Sequence, residues 1–199
     1  MAKKFYAVKR GRNTGIFESW DECKRQVMGF AGASYKGFET LAEAEAFIAE
    51  AAANNSEPRE GAVTAYVDGS YNIRTKVFAY GAVIFDGDEE IRKKASFEDE
   101  EMAQMRNVAG EINGSMAAMD YCVEHGRPML DLYYDYEGIE KWCTGEWKTN
   151  KAGTAAYRAY YESVKDRVNV RFIKVKGHSG DKYNDIADSL AKEAAGISQ

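Results

Sequence analysis

The stretch AYVDGSY, residues 65 to 71, runs apolar through Val67 and then sets a carboxylate, Asp68, where a buried strand is expected to end. A carboxylate at the margin of a core costs several kcal/mol unless something pairs with it. What pairs with it is the question the rest of the sequence has to answer. Around it, AVTAYVD (62–68), KVFAYGAVIF (76–85) and EIRKKASF (90–97) read as strands separated by turn chemistry, a three-stranded meander. Helical spacing of Val108, Ile112, Met119 and Val123 predicts a long helix closed by Gly126. A fourth strand, PMLDLYYD (128–135), then a short helix (137–145), a longer one (154–168), a fifth strand (168–175) and a last helix (184–195) follow. Strands first in a meander, then alternating with helices, imply a mixed sheet with helices on its faces.

Four acidic residues fall at positions that call for explanation. Asp68 and Asp135 end the first and fourth strands of this region, Glu111 sits near the start of the long helix, and Asp188 lies in the first turns of the last one. If the two strands are parallel neighbours, Asp68 and Asp135 emerge at the same end of the sheet, where α/β folds bind ligands. Carboxylates brought together repel and need a counter-charge. Oxygen ligands without Cys or paired His select a hard cation, Mg2+ or Mn2+. Two such ions can activate a water and stabilise the leaving oxygen of a phosphodiester. Taken singly, each residue has a plainer reading: a strand-end Asp as a turn former, Glu111 and Asp185 as helix-dipole residues.

Residues 1–50 follow a different grammar. Short strands (3–10, 15–17, 33–38) alternate with helices opened by Ser19 with Glu22 and Thr40 with Glu43, both in capping-box spacing. The expected division is a small domain at 1–50, a connecting segment at 51–61 and a second domain at 62–199. The net charge of −5 argues weakly against nucleic acid, yet residues 1–38 carry eight Lys and Arg against three acidic residues. Three widely spaced cysteines, no long apolar run and no apolar N-terminal stretch predict a cytoplasmic protein with reduced thiols and no membrane partner.

The segments YVDGSYN (66–72), YGAVIF (80–85), NVAGEINGSMAAM (107–119), LYYDYEGIEKW (132–142) and KVKGHSGDKYNDIADSLAKEA (174–194) together resemble type 1 ribonuclease H, in order, from residue 62 to about 195. Residues 5–27 and 35–48 are similar to the hybrid-binding domain that precedes many such enzymes. The resemblance implies a five-stranded ribonuclease H-like mixed sheet flanked by helices, preceded by a small three-stranded α/β domain. It implies an endonuclease that cuts the RNA strand of RNA–DNA hybrids by two-metal hydrolysis, leaving 5′-phosphate and 3′-hydroxyl ends. Carried over by position, Asp68, Glu111, Asp135 and Asp188 are the ligands of two Mg2+ ions, with Mn2+ as a substitute, and Asp68 is paired with metal. His178, between Gly177 and Gly180, matches a mobile histidine that assists proton transfer or product departure.

Asn107 aligns with a residue touching the RNA strand, where the 2′-hydroxyl distinguishes RNA from DNA. Asn72, Arg106, Asn150 and Asn184 are further substrate candidates, and Asn184 reads equally as the N-cap of the last helix. In the first domain Tyr6, Trp20, Tyr35 and Lys36 are the implied hybrid contacts; Trp20 also reads as a core residue. Duplex RNA is a second partner of that domain, and a monomer is expected. The sequence departs from the family pattern at Tyr136, where Ser is common, at Gly37, where a basic residue is common, and in the short, weakly basic stretch after Trp147-Lys148. The alternative is a non-catalytic binder of hybrid or duplex RNA.

Overall fold

A computed structural model describes residues 4–30, 33–53, 58–175 and 181–197. The chain forms two compact units, Met1–Glu57 and Pro58–Gln199. In the first, β1 (Phe5–Arg10) lies between β2 (Gly15–Phe17) and β3 (Ser34–Phe38), all antiparallel, with α1 (Trp20–Val27) and α2 (Leu41–Ala53) packed on β1. Both helices begin as the sequence predicts. The Glu22 N–H donates to the Ser19 hydroxyl at 3.3 Å, and Thr40 and Glu43 exchange backbone-to-side-chain bonds at 3.2 and 3.3 Å. Val8, Cys23 and Val27 form a small buried cluster under α1.

The second unit is a five-stranded sheet in the order β6-β5-β4-β7-β8. Strands β4 (Val63–Tyr71), β5 (Phe78–Asp86) and β6 (Glu89–Phe97) make the antiparallel meander; β7 (Met129–Tyr134) and β8 (Asn169–Lys174) add parallel to β4. The helices are α3 (Glu100–Ala103), α4 (Asn107–Glu124), α5 (Gly138–Thr144), α6 (Ala152–Val164) and α7 (Lys182–Ala194). This is the expected mixed sheet flanked by helices, with a three-stranded unit ahead of it.

Three details differ from the sequence expectations. β4 does not end at Asp68. It continues to Tyr71, because the antiparallel ladder with β5 runs on through Tyr71↔Phe78. The parallel ladder with β7 stops at Tyr66↔Tyr133, so Asp68 sits within a strand that has lost one of its two neighbours. Second, the last helix is capped by Asp181, whose Oδ1 accepts the Tyr183 and Asn184 N–H groups at 3.1 Å each. A carboxylate at that position also meets the positive end of the helix dipole, so the N-cap reading of Asn184 gives way to it. Third, the short helix α3, capped by Asp99, forms between β6 and α4, where the sequence reading assigned no element.

Side chains alternate along β4, so Asp68 shares a face with Tyr66 and Thr64 while Gly69 shares the other with Val67 and Ala65. A Cβ on Gly69 would fall 2.1 Å from the Asn107 carbonyl oxygen, 2.5 Å from the Glu111 nitrogen and 2.9 Å from Glu111 Cγ, which identifies its face as the one under α4. Gly110 reciprocates: its Cβ would lie 2.0 Å from the Ala79 oxygen and 2.8 Å from Gly69 Cα. Gly81, opposite Asp68, presses in the same way on Ala187 and Ala191 of α7. Gly69→Ala is expected to lift α4 off the strand at a cost of about 3 kcal/mol, read as a lower thermal midpoint together with weaker stabilisation by Mg2+.

Candidate active site

Three elements deliver three carboxylates to one point. Asp68 comes from β4, Glu111 from the second turn of α4, and Asp135 from just beyond β7. One ligand oxygen from each lies within 4.8 Å of the others. The fork between β4 and β7 explains how residues on opposite faces of a sheet can meet. Beyond Tyr66↔Tyr133 the two strands are no longer bonded to one another, and the chain of Glu111 passes over Gly69, where no side chain obstructs it. Asp68 is 7% and Glu111 1% exposed.

Burial and mutual repulsion push these groups toward the protonated form. Desolvation, then the charge of Asp135, raises Asp68 to about 7, partly offset by the Gly69 N–H that donates to its Oδ1 at 2.7 Å. Glu111 is raised well above its usual range by burial, then by Asp135 and Asp68. Its Oε2 is buried with no hydrogen-bond partner among the described residues. An orphaned carboxyl oxygen beside two further carboxyl groups fits a hard divalent cation, and the donor set contains no sulfur or nitrogen.

Asp188 lies outside this cluster. Its Oδ2 accepts from Lys192 Nζ at 2.6 Å, an i,i+4 pair on α7, although its charge still acts on Asp68. The lysine is the residue that sequence reasoning passed over, and its four-residue spacing from Asp188 was the available signal. Asp185 is exposed, as its plainer reading held. His178 lies outside the described residues.

The substrate candidates divide. Asn107 opens α4, exposed beside Arg106, and both line a cavity of about 230 Å3 with Tyr136, Trp142 and Lys151. Arg106 holds a positive φ of 55°, rare for a side chain of its size. Asn150 is exposed next to Lys151. Tyr136 is in an aromatic group with Trp142 and Trp147, ring centroids 5.7 to 6.3 Å apart. Glu137 is held ionised, down to about 2, by Lys174 and then Lys141. Asn72 is not free to bind: its amide donates to the Ala195 carbonyl at 2.9 Å and its Oδ1 accepts from the Arg74 N–H at 3.0 Å, tying the β4–β5 turn to the end of α7. Asn184 is buried at 3% exposure, with Oδ1 unpartnered among the described residues, so it is not an open contact surface.

In the first unit Trp20 bridges Tyr6 and Tyr35, with centroids 5.6 and 5.7 Å away. Trp20 is 39% and Tyr35 43% exposed, so the core reading of Trp20 fails. Lys36 does not join them. The register Tyr6↔Gly37 and Val8↔Tyr35 puts Lys36 on the opposite face, with its ammonium 5.3 Å from the centre of the Phe38 ring.

A mixed α/β sheet bearing a cluster of carboxylates at the fork of two parallel strands is an arrangement suited to metal-dependent hydrolysis. Residues 60–196 match the RNase H family model, and residues 4–48 match the model described as the ribonuclease H1 N-terminal domain. Ribonuclease H1 of Homo sapiens is 26% identical over 259 aligned positions, covering 96% of this chain and 89% of that protein. Ribonuclease H of Crithidia fasciculata is 52% identical over 48 residues, 24% of this chain and 10% of that protein. The crystal structure of RNase H1 from Halobacterium salinarum NRC-1 superposes with a TM-score of 0.55 at 26% identity, over 67% of this chain and 97% of that one. The chain belongs to the RNase H family, endoribonucleases that hydrolyse the RNA of RNA–DNA hybrids.

A raised carboxyl pKa stabilises the fold below its ordinary value and loses that contribution as pH climbs through the folded value, here between about 4 and 7 for Asp68. Protein stripped of divalent ions is expected to lose on the order of 4 kcal/mol across that window. Saturating Mg2+ should flatten the fall, and Asp68→Asn should reduce it in metal-free protein. Thermal melts from pH 4 to 8, with EDTA or Mg2+, read it directly.

Proposed function

We propose that this protein cuts the RNA strand of RNA–DNA hybrids endonucleolytically, leaving 5′-phosphate and 3′-hydroxyl ends. The observation that supports the reading best is the meeting of Asp68, Glu111 and Asp135 within 4.8 Å, with one buried oxygen lacking a partner. These three would hold divalent cations, with Asp188 as the fourth ligand once its carboxylate leaves Lys192. Two bound ions, Mg2+ or in its place Mn2+, would supply a nucleophilic hydroxide at neutral pH and neutralise charge on the leaving 3′-oxygen.

The chain's own residues do the rest. The fork admits a phosphodiester to the carboxylates. Asn107, at the exposed start of α4, offers an amide to the 2′-hydroxyl that only the RNA strand carries. Arg106 and Asn150 meet backbone phosphate, with Tyr136 lining the same cavity as Arg106 and Asn107. His178 assists proton transfer or departure of the product. Tyr6, Trp20 and Tyr35 form the hybrid-binding surface of the first unit, which also accepts duplex RNA, and Lys36 acts from the other face of its sheet. Attached to the nuclease, that unit raises the hybrid concentration the cleft encounters. No described helix is long and apolar enough to cross a membrane, and the reading places a monomeric enzyme in the cytosol.

Asp68→Asn is expected to lower Mg2+-dependent cleavage by on the order of 1000-fold while the circular dichroism spectrum stays that of the wild type. Retained cleavage refutes the ligand set. The assay is a gel of strand-labelled hybrid with duplex RNA and duplex DNA as controls, and binding without cleavage in either Mg2+ or Mn2+ would select the non-catalytic alternative. Trp20→Ala should weaken hybrid binding about tenfold, the scale of one lost stacking contact, measured by fluorescence anisotropy at fixed salt.

A further inference from the structure

The connecting segment enters the second unit through a tight turn. The Arg59 carbonyl accepts from the Ala62 N–H at 3.0 Å, and Gly61 supplies the left-handed residue, φ 73°, that the turn needs. β4 starts at the next residue, with Val63 beside Leu130. Arg59 is held there by both backbone and side chain. Its N–H donates to Asp131 Oδ2 at 2.8 Å and its Nε to Asp131 Oδ1 at 2.7 Å. Nη1 donates to Asn169 Oδ1 at 2.6 Å, and Nη2 to the Leu130 and Asn169 carbonyls at 2.9 Å each.

Asp131 is fully buried on β7 and also accepts from Arg171, through Nε at 3.0 Å and through Nη2. One exposed ion pair on a connecting segment would fix nothing. Donors converging on a buried carboxylate and on the two strands beside it define a single geometry. The segment 51–61 read from the sequence as the connection takes in the end of α2, which runs to Ala53, and Arg59, which is held on Asp131.

We infer that Arg59 is a positioning residue for hybrid cleavage: clamped on Asp131, it fixes where the chain leaves the catalytic unit and so sets the working length of the tether to the hybrid-binding unit. The inference rests on the hybrid-binding role proposed above for that unit. Five residues separate Ala53 from Arg59; without the clamp the next held residue is Val63, and the interval is nine. Effective concentration peaks where the tether matches its span and falls roughly as the −3/2 power of length beyond that, so for a tether that already spans the distance, releasing the clamp lowers it about two- to three-fold. Arg171 stays on Asp131 when Arg59 is replaced, which leaves the buried carboxylate a cation.

The test is steady-state cleavage of a long, strand-labelled hybrid by the full chain. Three forms are compared: wild type, Arg59→Ala, and wild type with a four-residue Gly-Ser insertion ahead of Pro58. Each is made with Trp20 intact and with Trp20→Ala. The expected result is a KM raised about two- to three-fold by Arg59→Ala and by the insertion alike, an unchanged kcat and a broader spread of cut positions. In the Trp20→Ala background, where hybrid binding through the first unit is about tenfold weaker, both changes should move KM less.

Wild-type KM and cut pattern in Arg59→Ala overturn the inference, and so does a KM rise of equal size in the Trp20→Ala background, which reports a local defect of the sheet. Should Arg59→Ala fail to fold, the insertion, whose clamp is intact, decides alone, and an unchanged KM there is fatal. Trp20→Ala with wild-type KM and hybrid affinity refutes the hybrid-binding reading itself and the inference with it, an outcome distinct from failure at Arg59 alone.

Discussion

Between helix α4 and strand β4 there is glycine on both sides, and the rest of the second unit is arranged around that contact. Gly69 and Gly110 bring two backbones closer than any side chain would permit. Because they do, the first turns of α4 ride directly on the strand that carries Asp68, and Glu111 slides over Gly69 into the cluster. Ordinary helix-on-sheet packing, with side chains filling the layer between, would hold Glu111 away from Asp68 and leave no shared site. Gly81 does the same for α7 on the other face. Two helices are thus pressed onto one pair of strands from both sides, and the spacing of the acidic groups is set by main chain, the least compliant part of the molecule.

The arrangement works against the stability of the protein on its own. Asp68 and Glu111 are buried with like charge beside them, and both respond by holding on to protons. Elsewhere the same fold handles a buried carboxylate conventionally: Asp131 is fully enclosed and receives two arginines. The contrast within one sheet is informative. Cationic partners were available to the architecture and were placed at Asp131 and, through Lys192, at Asp188, while among the described residues none is ion-paired with the central three. A site kept short of positive charge in this way is built for a mobile cation, which can be exchanged, rather than for a covalently attached one, which cannot.

Much of this could be read in the residues. The meander, the long helix and the strand–helix alternation follow from apolar periodicity, and both helices of the small unit start at the predicted Ser19 and Thr40. The carboxylates were legible as a set because three of them interrupt apolar patterns. What was not legible involved partners distant in sequence or competition between neighbours. Asp68-Gly69-Ser70 reads as a strand end by composition, yet continued pairing with β5 overrides it. Asp181 outcompetes Asn184 as a cap because it stands one turn earlier and carries charge. Arg59 looks like connecting chain because its partner lies 72 residues away. Lys36 is a different case: strand alternation alone separates it from Tyr35, and grouping by adjacency obscured that.

The early divergence of β4 from β7 also places an upper bound on strand length. β7 stays with β8 to its last residue, Tyr134 opposite Lys174, and the Val175 N–H then donates to the Tyr134 carbonyl. Were β7 to follow β4 for one further pair of residues, the ladder would zip shut across the cleft and the backbone itself would fill the space meant for a phosphate. Here the sheet is useful where it stops being a sheet, and an insertion that merely lengthened a well-formed strand would inactivate the molecule while making it more regular.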